Sequence, residues 1–222
     1  MNTIAITGTN TDIGKTYVAC GIVRELKNRG IDVGVFKPFC SGSRNDVEKL
    51  ISASGVKDTI EEVNPFYFEQ PLAPYHALKL EGKNINIKKC FDAFDVLRQR
   101  HDLLLIEGAG GIMVPIMNTA TGIYSFLDLF SDLASDIIIV ASRDLGTINH
   151  SWLSAKTCDE AGLNVFGFVF NDTKPVEEKE PAKSNPEIIE LCSGKPVLGI
   201  VKYNDKITQW NSIVNKILNS NE

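Results

Sequence analysis

The segment of this 222-residue chain with the clearest chemistry is Gly8-Thr9-Asn10-Thr11-Asp12-Ile13-Gly14-Lys15-Thr16. The apolar run Thr3 to Thr7 leads into it and a helical pattern follows. Such a loop aims backbone amides and the positive end of a helix at one point, which is how phosphate oxygens are held. There Gly14 lets the backbone come close, Lys15 reaches the β- and γ-phosphates, and the Thr16 hydroxyl can ligate Mg²⁺. Five residues separate the two glycines, one more than the strict G-x-x-x-x-G-K-[ST] spacing.

Two further charges fall at the ends of apolar runs. Glu107 closes Leu103 to Ile106 and precedes Gly108-Ala109-Gly110-Gly111. An acid at such a tip either ligates a second position of Mg²⁺ or turns out to solvent. If buried, it needs a cation nearby. Lys37 ends the run from Val33 and is followed by Pro38, Ser41-Gly42-Ser43 and Asp46. Lys15, Lys37 and Glu107 then share one sheet edge, the ligand crevice of open α/β sheets. Asp46 is open between two roles, a metal ligand or the N-cap of a helix over Val47–Ala53.

The elements that must position these groups follow from the pattern. Apolar runs at Thr3–Thr7, Val33–Lys37, Leu103–Glu107, Ile137–Ala141, Val165–Asn171 and Pro196–Val201 are mostly continuous, as strands covered on both faces are. Helical patterns cover Lys15–Arg29, Ile87–Arg100, Asn149–Ala161 and Lys206–Asn219, with Gly30 and Gly162 as stops. Alternation of this kind predicts an α/β fold, a mostly parallel sheet with helices on both faces and a phosphate loop after the first strand. The stretch from Val56 to Lys83 reads as an ordered excursion with no regular period. The polar, proline-broken stretch from Asp172 to Pro186 reads as a solvated surface loop or a flap beside a nucleotide.

Composition narrows the function. Lys and Arg total 23 against 28 Asp and Glu, a net charge of −5, which disfavours sequence-independent nucleic-acid binding. Hydrophobic residues at 43% and charged residues at 23% describe a globular chain, read here as one domain over residues 1–222. The five cysteines lack any C-x-x-C spacing and read as reduced thiols without zinc. No apolar run is long enough to span a bilayer, and no signal peptide opens the chain, so the expected compartment is the cytoplasm without membrane attachment.

Several blocks in order resemble the dethiobiotin synthetase family. They are Thr7–Thr16, Lys37-Pro38 with Ser41-Gly42, Asn64-Pro65 with Pro71, Glu107–Gly111, Leu145-Gly146-Thr147-Ile148-Asn149-His150, and Asn171-Asp172. The longer phosphate loop is itself a habit of that family. The resemblance implies a P-loop NTPase fold that forms a homodimer with shared active sites. It implies that ATP, CO2 or bicarbonate, and 7,8-diaminononanoate combine to close a ureido ring, through a carbamate and a carbamic–phosphoric anhydride. Lys37, Lys15 and Thr11 would be catalytic. Asp12, Ile13, Gly14, Lys15, Thr16, Tyr17, Asp46 and Glu107 would hold the nucleotide, with Asn171 reading the base beside Asp172, Lys202, Tyr203 and Asn204. Ser41, Gly110, Gly111 and, across the dimer interface, Asn149 would bind the diamine substrate. Thr16, Asp46 and Glu107 would hold Mg²⁺. Relatives often carry Ile-Pro after the last strand, where this chain has Val201-Lys202-Tyr203-Asn204.

The competing class is a partitioning or division-site ATPase switch. Such proteins carry a lysine early in the phosphate loop, and Met1–Gly14 contains none. Their membrane-binding tails are basic and amphipathic. Here Ile207, Trp210, Ile213, Val214, Ile217 and Leu218 recur at helical spacing beside only Lys206 and Lys216, as in a helix docked on the sheet. A cobalamin-pathway amidation domain would be expected to continue into a glutaminase domain. Neither His76 nor His101 has a site context, and His150 reads as structural.

Overall fold

A computed structural model describes residues 3–134, 136–177, 179–204 and 210–219. Six parallel strands form the central sheet: β1 (Thr3–Gly8), β2 (Val33–Phe36), β5 (Leu103–Gly111), β8 (Asp136–Ala141), β9 (Asn164–Asn171) and β10 (Val197–Val201). Their order is β10-β9-β8-β1-β5-β2. Successive side chains of a strand face opposite sides, so each continuous apolar run feeds two cores. Ile4, Ile6, Leu105 and Val140 pack on one face, under α1 (Lys15–Asn28), α2 (Asn45–Ser54) and α9 (Trp210–Asn219). Ala5, Leu104, Ile106 and Ile139 pack on the other, with α5 (Ile87–Arg100), α6 (Phe126–Leu133) and α7 (Thr147–Glu160).

The remaining elements are small additions around the edge that carries the strand tips. A parallel pair, β3 (Phe39–Ser41) with β4 (Phe66–Phe68), follows the end of β2. The excursion supplies α3 (Ile60–Val63) and α4 (Pro74–Leu80) besides β4. A hairpin, β6 (Pro115–Thr119) and β7 (Gly122–Ser125), extends beyond β5.

Three helices depart from the pattern reading. Helix α2 begins at Asn45 with Arg44 as its N-cap residue, and the Ser43 hydroxyl accepts from the Asn45 amide at 3.1 Å. Asp46 therefore lies inside the first turn and is not the cap. Helix α7 begins at Thr147, two residues before Asn149, because the turn is closed by the Thr147 hydroxyl donating to the Ser142 carbonyl at 2.6 Å. The polar stretch expected as a loop or flap becomes α8 (Glu180–Ser193) from Glu180 onward, with Pro181 in the first turn, where its missing N–H costs nothing. The expected helix from Lys206 is described from Trp210, and residues 206–209 lie outside the described residues. Its Ile213, Val214 and Ile217 are buried, as in a docked helix.

Asn64 links this scaffold to the site. It is fully buried, and its Nδ2 donates to the carbonyls of Lys37 at 2.7 Å and Phe66 at 3.1 Å. The Lys37 amide in turn donates to the Val63 carbonyl at 2.9 Å. Asn64→Ala leaves the Lys37 carbonyl without its buried donor, at an expected cost of about 1–3 kcal/mol. Urea unfolding checks this; a loss below about 0.5 kcal/mol would place Asn64 among ordinary surface positions.

Candidate active site

The first turn of α1 meets the tips of β2 and β5 around a cleft of about 610 Å³. Its lining includes Thr11, Asp12, Gly14, Lys15, Thr16, Tyr17, Lys37, Ser41, Asp46, Glu107 and Gly110. Lys49 and the segment Pro71–Pro74 complete the rim.

The loop geometry follows from two left-handed residues. Asp12 has φ 54, which a short polar side chain tolerates, and Gly14 has φ 85. A Cβ on Gly14 would also collide with the Asn171 amide. That amide donates from Nδ2 to the Ile13 carbonyl at 2.9 Å, so the tip of β9 braces the loop. The Ile13 oxygen can only accept, which fixes the amide orientation. Oδ1 is then the end of Asn171 left to accept a hydrogen bond.

Three ionisable side chains are buried at the centre: Lys15, Lys37 and Glu107. Lys37 Nζ donates to Glu107 Oε1, and the Thr16 hydroxyl donates to the same oxygen at 2.7 Å. Asp46 lies 3.9 Å from Lys37 and 3.6 Å from Lys49. Lys15 Nζ donates to the Asn10 carbonyl at 3.3 Å. Burial pushes Lys15 down to about 8; Glu107 opposes that fall and Lys37 adds to it. Burial also works against the charge on Lys37, but the Glu107 charge and hydrogen bond outweigh it and hold Lys37 above the usual lysine value. Glu107 Oε2 and Ser41 Oγ are buried with no hydrogen-bond partner. Oriented cations in a low-dielectric cleft are what transfer of an anionic phosphoryl group requires, and the open Glu107 oxygen can hold a further cation.

Other residues singled out in the sequence lie outside the cleft lining. Ile13 and Asn171 support the loop from behind. Both carboxylate oxygens of Asp172 accept from Arg143, at 3.1 and 2.6 Å. Lys202, Tyr203 and Asn204 leave β10 beside Asp172, whose amide donates to the Val201 carbonyl at 2.9 Å. Gly111 packs against the Gly8 carbonyl, and Asn149 is exposed on α7. Arg143 carries no sequence signal: it is a lone arginine after an apolar run.

A phosphate loop between the first strand and first helix of this parallel sheet, with a lysine and an acid converging from the neighbouring strands β2 and β5, defines the chain as a P-loop nucleotide-binding domain. A family model described as an AAA domain matches residues 2–211. A plasmid partition protein from Borrelia burgdorferi shares the fold, with a TM-score of 0.63 over 99% of this chain and 98% of that one; at 14% identity the likeness is one of fold alone. Sequence relatives are more specific. An ATP-dependent dethiobiotin synthetase BioD of Bacillus licheniformis is 40% identical over 88% of this chain and 83% of its own length. One from Bacillus subtilis subsp. natto is 38% identical over 92% and 88%. The chain belongs to the ATP-dependent dethiobiotin synthetase family, ligases of biotin biosynthesis.

Glu107 and Lys37 depend on each other. Glu107→Ala leaves Lys37 with Asp46 as its nearest carboxylate, and breaking a buried pair costs about 3–5 kcal/mol. The double change Glu107→Ala/Lys37→Met should recover most of that loss in guanidinium unfolding. A single variant as stable as wild type would show that the pair contributes nothing to the fold.

Proposed function

We propose that this chain, as one P-loop domain, carboxylates 7,8-diaminononanoate with CO2 and uses ATP to close the ureido ring. The observation that carries the reading is the pairing of buried Lys37 with buried Glu107 beside Lys15 and the phosphate loop. One amine of the diamine adds to CO2 and loses a proton, giving a carbamate. The carbamate oxygen attacks the γ-phosphorus, ADP leaves, and a carbamic–phosphoric anhydride results. The second amine attacks the anhydride carbon and gives up a proton, phosphate departs, and the five-membered urea closes. Lys37 neutralises the carbamate and the moving phosphoryl group. Lys15 holds the phosphates in both ground and transition states, and Thr11 and Asp12 line the same opening. Ser41, with its unpartnered hydroxyl, and Gly110 face the diamine. The work is positioning and charge neutralisation, and no covalent enzyme intermediate is required.

The residues present fit Mg²⁺. Thr16, Asp46 and Glu107 offer hard oxygens, and Glu107 Oε2 is buried without a partner. Among the described residues, no three His, Cys, Asp or Glu side chains gather at one point. Phosphate oxygens and water would complete the shell, as is usual for Mg²⁺ with nucleotides. When bound, the ion adds positive charge at the transferring phosphoryl group. Among the described residues, no helix is long and apolar enough to cross a membrane. A cytoplasmic setting suits the five free cysteines, four of them buried.

ADP release measured with and without diamine and bicarbonate tests the reading. Turnover should require both, and vigorous hydrolysis without diamine would identify a switch ATPase instead. Lys37→Ala should lower turnover on the order of 10²-fold or more while ATP binding holds within about tenfold. Near-wild-type turnover in Lys37→Ala would remove Lys37 from the chemistry.

A second copy of the chain completes the site in this proposal. The long aliphatic tail of the diamine ends in a carboxylate, and the amides at the start of α7 suit an anion. Asn149 stands there, next to exposed Leu145, Trp152 and Leu153, an apolar surface suited to a partner. Asn149→Asp should repel the carboxylate. Mixed with Lys37→Ala and allowed to exchange subunits, the two weak variants should recover roughly a quarter of wild-type activity, because about half of randomly paired dimers hold one intact site. Verified exchange without recovery would place carboxylate binding within one chain.

A further inference from the structure

Arg143 is 4% exposed and lies just beyond the tip of β8. Its Nε and Nη2 donate to the two oxygens of Asp172, itself 6% exposed. Its Nη1 donates to the Ala182 carbonyl at 3.2 Å. That carbonyl needs an outside donor. Its helical partner would be the amide of residue 186, and Pro186 has none. The backbone carbonyl of Arg143 accepts from Asn185 Nδ2 at 3.1 Å. One side chain and its own backbone thus join the exits of β8 and β9 to α8, directly behind Asn171.

A buried ion pair pays a desolvation cost that apolar residues of similar volume avoid, so stability alone does not explain its place. We propose that Arg143 is a positioning residue for base recognition: by clamping Asp172 and α8 it fixes the backbone from which Asn171 offers Oδ1 to the amino group of the nucleotide base. The proposal rests on reading Asn171 as the base contact. Arg143 does not line the cleft, and its influence passes through Asp172 and Asn171.

The test compares Arg143→Met/Asp172→Asn, which removes both charges with little change in volume, with Asn171→Ala and the wild type. Steady-state diamine-dependent turnover gives KM and kcat for ATP and for GTP. The double variant should raise KM for ATP about tenfold, the scale of one weakened hydrogen bond. It should keep kcat within about threefold, the pattern of lost uniform binding. Its preference for ATP over GTP should fall about tenfold. A change that affected folding alone would leave that preference where it was. Arg143→Lys keeps a buried cation but loses the fork that serves Asp172 and Ala182 together. It gives the same readouts if the double variant does not unfold cooperatively. An unchanged KM and ATP preference in these variants, with preference lost in Asn171→Ala, would overturn the role of Arg143 alone. Preference retained in Asn171→Ala would overturn the reading of Asn171 and this inference with it.

Discussion

Burying Lys37 sets terms that the rest of the site has to meet. An ammonium removed from water at the tip of β2 is tolerable only because Glu107, midway along the longer β5, is buried against it. The two strands are neighbours in register, with Phe36 opposite Ile106, so the residues that follow each are delivered side by side. β1 lies on the other side of β5 and brings the phosphate loop to the same place. Thr16 then reaches Glu107 from the first turn of α1. The pair is thus a structural anchor and a chemical one, and the strand order makes both possible.

Around that centre, single side chains replace what longer elements do elsewhere. Asn64 holds the chain leaving β2, Asn171 holds the phosphate loop, and Arg143 holds the exits of β8 and β9. Each is buried, and each satisfies backbone or carboxylate oxygens that would otherwise be left unpaired. The cleft therefore rests on supports spread over residues far apart in sequence. Burial acts differently on its two lysines. The Glu107 charge holds Lys37 above the usual lysine value, whereas burial lowers Lys15 to about 8, still mostly protonated at neutral pH.

What the sequence could reveal depended on how local the cause was. The phosphate loop, Lys37 and Glu107 were legible from spacing and apolar runs, although the strand expected to end at Glu107 continues to Gly111. The six main strands were legible as apolar runs, but the run Val165–Asn171 hides an irregularity. Val165 and Phe168 face one core while Phe166 and Val169 face the other, so the alternation slips at Gly167, whose φ is 147. Nothing in an unbroken apolar stretch marks that slip. Helix α8 was hidden by Pro186, a breaker on local rules, because the donor that compensates for it comes from Arg143. Asp46 stayed open between ligand and cap because the bond that closes the turn before it comes from Ser43. In each case the deciding partner lies outside the window in which a pattern can be read.

The central position of β1 bears on how the chain acquires its shape during synthesis. Thr3 pairs with Leu104 and Ile4 with Asp136, so the first strand made has both neighbours supplied much later. The Thr9 amide is held by the Val140 carbonyl, which makes even the entrance of the phosphate loop a late contact. Parallel pairings over such separations must first overcome the entropy of closing long loops. Until β8 has left the ribosome, the nascent chain cannot assemble the phosphate site. Nucleotide can then stabilise only species in which the middle of the sheet already exists, and it offers no protection to earlier ones against chaperone capture or proteolysis.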